Sequence, residues 1–283
     1  MRIFDCFTFY NELDLLEVRL NELYNKVDRF VIVEATTTFT NRPKPAYFEQ
    51  HQDRYKKWAD KITHVRIDLP QDTNAWVNET YQRDAILQGT QDADSNYIIV
   101  VSDVDEILRP ESVDLMRTTD QTIYAFRMPI FNFKFNYMRV TPGQYDVWAM
   151  AARRQVLDQI TPNSLRSLRF NFFGAPHQHV DQGCQVIEHG GWHFGYMGDN
   201  EYLRDKAQSF SHTEVNTPDF IAQIDVEQSI AERKEWDRNQ TAQYEIVDLD
   251  SYFPQSAHQY TDKILPNSGI RAVDLLPAYT YNK

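Results

Sequence analysis

Asn96-Tyr-Ile-Ile-Val-Val-Ser-Asp-Val-Asp-Glu-Ile107 is the stretch on which the fold turns, because the unbroken apolar run Tyr97 to Val101 ends directly in the acids Asp103, Asp105 and Glu106. A strand with one wet face alternates apolar and polar residues, whereas an unbroken run reads as a strand covered on both sides, as in a parallel sheet flanked by helices. In open α/β sheets ligands bind beyond the carboxyl ends of the strands, which is where these acids fall. Asp103 and Asp105, two apart, share a face of an extended segment, and a bend after Ser102 turns both toward one point. Carboxylates so close repel unless a cation or ligand lies between them, and Mn²⁺ or Mg²⁺ is commonly held by one or two carboxylates together with substrate phosphates. The plain alternative is that the acids cap a following helix that Pro110 helps to start.

Outward from this run the chain repeats one rhythm. Ile3 to Phe9 reads as a strand, and Asn11 is placed to cap the helix that follows. In that helix Leu13, Leu16, Leu20, Leu23 and Val27 recur at steps of three and four. Phe30 to Val33 is a second strand, then come a helical Gln50 to Lys61, a strand Ile62 to Ile67, a helical Val77 to Gln88 and the strand Tyr97 to Val101. Strands alternating with helices imply an α/β fold around a mostly parallel central sheet. After Arg127 the texture becomes aromatic, with Phe131 to Tyr137 and Tyr145 to Met150 reading as hairpins or irregular strands. No repeat or linker divides the chain, so the expectation is one domain over 1–283. Its parts are a ligand-binding half at 1–120, a less regular half at 121–215 and an extension at 216–283.

Composition narrows the function. A net charge of −12 argues against a duplex-binding face, so no nucleic-acid partner is expected. Apolar runs of about five residues are far short of a membrane span, and no signal peptide is evident, which points to a cytoplasmic protein. Cys6 and Cys184 form no metal-knuckle or disulfide pattern. The sequons at Asn78 and Asn239 read as chance. No Walker loop or G-x-G-x-x-G string is present, so neither a P-loop hydrolase nor a dinucleotide enzyme is supported. A nucleoside-diphosphate sugar needs neither loop; its transfer needs a cation for the departing diphosphate and a base for the acceptor hydroxyl.

Other candidates follow downstream. Two glycines before Trp192 and His193 permit a tight turn or close approach to a ligand, making His193 a candidate metal ligand and Trp192 a sugar-stacking surface or simply core. Tyr202 to Phe210 reads as a helix with Lys206 and Ser209 on neighbouring positions, Lys206 being placed to clamp a leaving diphosphate. Arg83 and Asp84 are candidate donor contacts. His212 and Glu214 are candidates for acid–base or supporting roles.

Several strings, taken together, are similar to one family. Phe9 to Leu20, Val31 to Glu34, Arg42-Pro-Lys-Pro45, Ser102 to Ile107, and Gly191-Trp-His193 with Lys206 and Ser209 resemble glycosyltransferase family 17 in order across most of residues 3 to 215. The resemblance implies a GT-A-type fold, a UDP-GlcNAc donor, a Mn²⁺ (or Mg²⁺) cofactor and inversion at the anomeric carbon. It implies donor and metal roles for Asp103 and Asp105, a nucleoside-side position for Glu34, and membership of one motif for His193 and Lys206. Phe194-Gly195 departs from the Cys-Ser pair of the animal members.

The reading is then a metal-dependent inverting glycosyltransferase that moves N-acetylglucosamine or a related sugar from a UDP donor to a glycan hydroxyl. Asp199 and Glu201 (the latter itself on a family position) lead as bases, with Glu214 and Glu188 behind. Trp148, Phe133 and Trp192 are expected to wall the acceptor site. Two rivals remain: a D-x-D phosphatase with Asp103 as nucleophile, and a carbohydrate-binding protein without turnover.

Overall fold

The computed structural model describes residues 1–141, 146–172, 183–236 and 242–276. Tyr145 and the Asn239 sequon lie outside the described residues. In chain order the strands are β1 (Ile3–Phe9), β2 (Arg29–Ala35), β3 (Ile62–Ile67), β4 (Ile98–Asp103), β5 (Glu106–Leu108), β6 (Ile123–Met128), β7 (Ile130–Asn132), β8 (Tyr137–Arg139), β9 (Asp146–Arg153), β10 (Cys184–Ile187), β11 (Gly191–Gly195) and β12 (Tyr244–Ile246).

Seven of them form one sheet in the order β10-β6-β9-β4-β1-β2-β3. The β1–β2, β1–β4, β2–β3 and β6–β10 pairs are parallel, and β9 runs antiparallel between β4 and β6. The α/β class with a mostly parallel sheet expected from the sequence is therefore the one observed. Both faces of β4 are covered: Ile98 and Val100 enter one apolar cluster, Ile99 and Val101 another. That two-sided burial is the physical reason its sequence is an unbroken apolar run.

A second sheet, in the order β12-β8-β7-β11-β5, stands beyond the carboxyl end of β4. The chain leaves β4 at Asp103, turns, and re-enters as β5, which pairs antiparallel with β11 so that Glu106 faces His193 and Leu108 faces Gly191. Phe194 donates its N–H to the Asp105 carbonyl at 2.8 Å. A Cβ at Gly191 would stand 2.2 Å from the Ile107 carbonyl oxygen, so the glycine is needed for the approach of these strands rather than for a turn. The acid cluster and the Trp-His string, 86 to 90 positions apart in the chain, thus meet by strand register.

Some local expectations are corrected. Asn11 does not cap the helix Leu13–Leu23; its N-cap is Glu12, whose carboxylate instead accepts from the Tyr10 and Asn11 N–H groups. The helix expected over 50–61 is an α-turn, Tyr47–Gln50, followed by a 3-10 helix, Gln52–Lys61. Three residues per turn stack Tyr55 and Trp58 on one buried face. The helix Ala75–Asp84 is capped by Asn74 and separated from the turn Ile86–Gly89. Asn78, in the first sequon, is fully buried and donates to the Phe39 carbonyl at 2.8 Å. The acids after β4 cap no helix, since Arg109 is the N-cap of Pro110–Thr118. Both cysteines are free thiols. Among the described residues no helix is long and apolar enough to cross a membrane.

Candidate active site

A buried arginine builds the floor of the site. Arg19, on the core-facing side of Leu13–Leu23, forms a paired ion contact with Asp5 of β1, Nε to Oδ2 at 2.7 Å and Nη2 to Oδ1 at 2.5 Å. Its remaining N–H groups reach the Asp103 carbonyl at 2.8 Å, the Glu106 carbonyl at 3.0 Å and Ser102 Oγ at 2.7 Å. These bonds satisfy carbonyls that the turn between β4 and β5 would leave orphaned, and so fix the backbone from which the acids project.

Above this floor opens a cavity of about 470 Å³. Its lining takes residues from the ends of β1 and β2 and from Ala75–Asp84, among them Thr8, Lys44 and Arg83, and from the later part of the chain, among them Trp148, His193 and Trp236. Asp103, Asp105, Glu106, Arg166, Arg169 and Lys206 line it as well.

The three acids differ sharply. Asp103 accepts from Thr8 Oγ1 at 2.8 Å, Arg83 at 3.1 Å and Arg166 at 3.2 Å. Burial works against its charge, but Arg83 and Arg166 outweigh it and hold the carboxyl well below the usual range. Glu106 takes the Asp103 N–H at 3.0 Å and a short contact from Arg166; burial dominates and raises its carboxyl. Asp105 has weaker company, with Lys206 Nζ at 3.5 Å and His193 Nε2 at 3.9 Å. Burial pushes its carboxyl up to about 7 against the pull of Lys206. His193 is driven down to about 3 by burial and then by Arg166 and Lys206, so at pH 7 it is the neutral imidazole that ligates metals. Burial also opposes the Lys206 charge, which Tyr202, Asp105 and Glu12 restore.

One donor atom each from Asp105, Glu106 and His193 lie within 4.8 Å of one another. Two carboxylates and a neutral imidazole are a mixed oxygen and nitrogen set that fits a Mn²⁺-like ion. A cation held there would offset the repulsion that Glu106 and Asp103 add to the burial of Asp105. Glu106 was not among the expected ligands, and Asp103, which was, has its oxygens engaged by Thr8 and two arginines.

Other expected residues divide between those brought to the cavity and those not. Arg83, Lys206, Trp148 and Glu214 line it. Trp148 stands with its ring 4.3 Å from that of His193. Glu214 is exposed at the rim, 2.7 Å from His212. Trp192 does not line the cavity: alternation along β11 turns it away from the His193 face into the core, under Arg109 at 4.5 Å. Phe133 is likewise buried, stacked on Tyr137 and outside the cavity lining. Asp199 is the N-cap of Asn200–Ser209, accepting from the Tyr202 N–H, and like Glu201 it is exposed and outside the cavity lining. Glu188 pairs with Arg127 at 3.3 Å, away from the cavity. Glu34 does not line the cavity either; it accepts from the Tyr47 N–H at 2.6 Å, Lys44 at 3.2 Å and His64 at 3.2 Å, and thereby holds Lys44 in place at the wall. Asp84 binds the Asn163 N–H at 2.8 Å, which anchors the helix Pro162–Ser167 that carries Arg166.

A strand-end acid cluster facing a neutral histidine and a half-buried lysine is compatible with several phosphate-ligand enzymes, and sequence comparison decides among them. Residues 1–274 match the profile of glycosyltransferase family 17. The chain belongs to that family. Membership of that family does not favour a phosphatase, and Asp103, the nucleophile a D-x-D phosphatase requires, is tied to Thr8, Arg83 and Arg166. This family 17 member is 25% identical, over 158 residues and 52% of its length, to the beta-1,4-mannosyl-glycoprotein 4-beta-N-acetylglucosaminyltransferases of Rattus norvegicus and Homo sapiens. The match covers 29% of those relatives' length. Among solved structures, the glycosyltransferase GlyE of Streptococcus pneumoniae TIGR4 aligns over 66% of this chain and 45% of its own at 11% identity. The TM-score of that alignment is 0.35. The family match extends well past residue 215, where the sequence strings faded, and takes in Glu235 and Trp236 of the cavity wall.

Proposed function

We propose that this enzyme transfers N-acetylglucosamine from UDP-GlcNAc to a glycan hydroxyl, with inversion and with a Mn²⁺ or Mg²⁺ ion, the whole chain acting as one catalytic domain. The observation that carries the reading is the meeting of Asp105, Glu106 and neutral His193 with Lys206 at the end of β4 in a family 17 glycosyltransferase. The nucleoside side is the wall made by Thr8 to Tyr10, Thr37 to Phe39, Lys44 and Arg83, with Glu34 and Asp84 acting through the groups they hold. Asp105 and His193, with Glu106 or Asp103, would hold the cation, which when bound neutralises charge developing on the departing diphosphate.

The protein's own groups do the rest. Lys206, kept charged between Glu12 and Asp105, faces the same charge as it grows, and a preorganised ammonium in a buried site counts most when it binds the transition state better than the ground state. Trp148 offers a flat apolar surface beside His193 on which a pyranose can stack. For the base, Glu214 is the expected carboxylate that lines the cavity, where it contacts His212 at 2.7 Å. Its place at the rim suits removal of a proton from an acceptor arriving from solvent.

Release of UDP from UDP-GlcNAc in the presence of Mn²⁺ and a panel of oligosaccharides tests the proposal. Acceptor-dependent UDP release that disappears with Asp105→Ala supports it. Binding of oligosaccharide with no release from any UDP-sugar would favour the carbohydrate-binding rival.

A further inference from the structure

Two arginines at the site were not visible in the sequence and are not explained by the acids around them. Arg166 lies in Pro162–Ser167, and Arg169 in the 3-10 turn Leu168–Phe172 that continues it; both line the cavity. Arg166 is 3% exposed and uses Nη2 for both Asp103 and Glu106. Its Nε and Nη1 are buried with no hydrogen-bond partner. Arg169 comes no nearer than 3.9 Å to Glu106, and its Nε and Nη1 are likewise buried and unpartnered. No other arginine among the described residues leaves two nitrogens in that state.

Buried N–H groups without acceptors are costly, and a charged fork is the costliest to leave empty. Arg169 is not there to neutralise Asp103, which Arg83 and Arg166 already pair. Nor does it close the cavity by packing alone, since its guanidinium is 5.4 Å from the Trp148 ring on the wall of the site. Planar guanidinium forks match the oxygens of phosphate or carboxylate. Phosphate is favoured because two guanidinium forks match its greater charge and larger number of oxygens, and a diphosphate shared with a cation at Asp105, Glu106 and His193 would still have outward oxygens to be satisfied.

We propose that Arg166 and Arg169 form a guanidinium cradle for the distal phosphate of a nucleoside diphosphate, a hold on the ligand that persists without metal. The inference rests on the nucleotide-sugar donor proposed above. It adds a second, metal-independent grip on the group that leaves, and it predicts that the enzyme tells a nucleoside diphosphate from a monophosphate even in a chelator.

Calorimetric titration of the full chain with UDP and with UMP, in EDTA, is the test. The wild type should bind UDP about tenfold more tightly than UMP, the size expected of one or two charge-assisted hydrogen bonds. Arg169→Met should erase that gap with its thermal midpoint unchanged or raised, because the side chain it removes makes no close ion pair and leaves two buried N–H groups without acceptors. Arg169→Lys, which keeps the charge and loses the fork, should retain only part of it and serves if the Met variant folds poorly. A gap that survives in both variants overturns the inference. So does a wild type that binds UDP in Mn²⁺ and not in EDTA, an outcome that leaves the donor proposal standing. Absence of UDP binding in either condition would remove the donor proposal as well.

Discussion

Replacing Arg19 by methionine is the most demanding test of how the site is built. The side chain is fully buried, bonded twice to Asp5, and donates to the Asp103 and Glu106 carbonyls and to Ser102 Oγ. Removing one member of a buried ion pair strands the other, at about 3–5 kcal/mol. Each carbonyl left without a donor adds about 1 kcal/mol or more, although such losses are not simply additive. Arg19→Met is therefore expected to lose at least about 4 kcal/mol, which for a chain of this size lowers the thermal midpoint by about 10 °C. The double variant Asp5→Leu/Arg19→Met removes the stranded carboxylate and should regain part of the stability. It should not regain Mn²⁺-dependent binding of UDP, because the turn carrying Asp105 is still unanchored. Thermal and urea unfolding, with calorimetric titration of UDP, read the two effects apart. A single variant within about 2 °C of wild type, or a double variant that binds UDP normally, would refute the reasoning.

Other expectations follow from the same geometry. Asp105→Asn should abolish Mn²⁺-dependent UDP release while the chain still folds, read by turnover beside a thermal scan; turnover within about twofold of wild type would contradict a metal or donor role for this carboxylate. For Glu34, burial raises the carboxyl, but the His64 hydrogen bond and Lys44 outweigh it, so in the folded chain it lies below its usual range. Its stabilising effect is then complete above the unfolded value of about 4.3 and is lost as the pH falls through the lower folded value. Glu34→Gln should accordingly flatten the acid side of a stability–pH curve and cost about 1–3 kcal/mol at pH 7, measured by urea unfolding. Asp199→Ala should cost about 1 kcal/mol through loss of a helix cap, and Glu201→Gln should leave kcat within about twofold; a large fall in kcat for Glu201→Gln would place the base outside the cavity described.

The sequence made legible whatever depends on period and position. The unbroken run before Asp103 disclosed a strand covered on both faces, and the acids fell at the end of the sheet where ligands bind. What depends on register was hidden. Trp192 and His193 are adjacent, so only one can face the cavity, and the pairing of β11 with β5 decides that it is His193. The same register, not the D-x-D spacing, brings Glu106 to the histidine. Asp199 and Glu201 were plausible from their closeness to the Trp-His string, but the helix they begin directs Lys206, a turn or more later, to the site instead. Arg166 and Arg169 carry no motif, and their convergence on Asp103 and Glu106 is purely tertiary. Arg19 did leave a trace: it sits three residues after Leu16 and four before Leu23, a charge on an otherwise apolar face. A buried carboxylate is the partner such a residue requires, and Asp5 in the middle of β1 is that partner.

The central claim is that a cation sits between Asp105 and His193 when the donor is bound. Electron spin-echo spectroscopy of the Mn²⁺–UDP complex reports directly on nitrogen bound to the metal. The account predicts an imidazole nitrogen coupling in the wild type that is absent in His193→Ala, with Mn²⁺ affinity also lost in Asp105→Ala. A spectrum showing oxygen ligands alone, unchanged by either substitution, would contradict it.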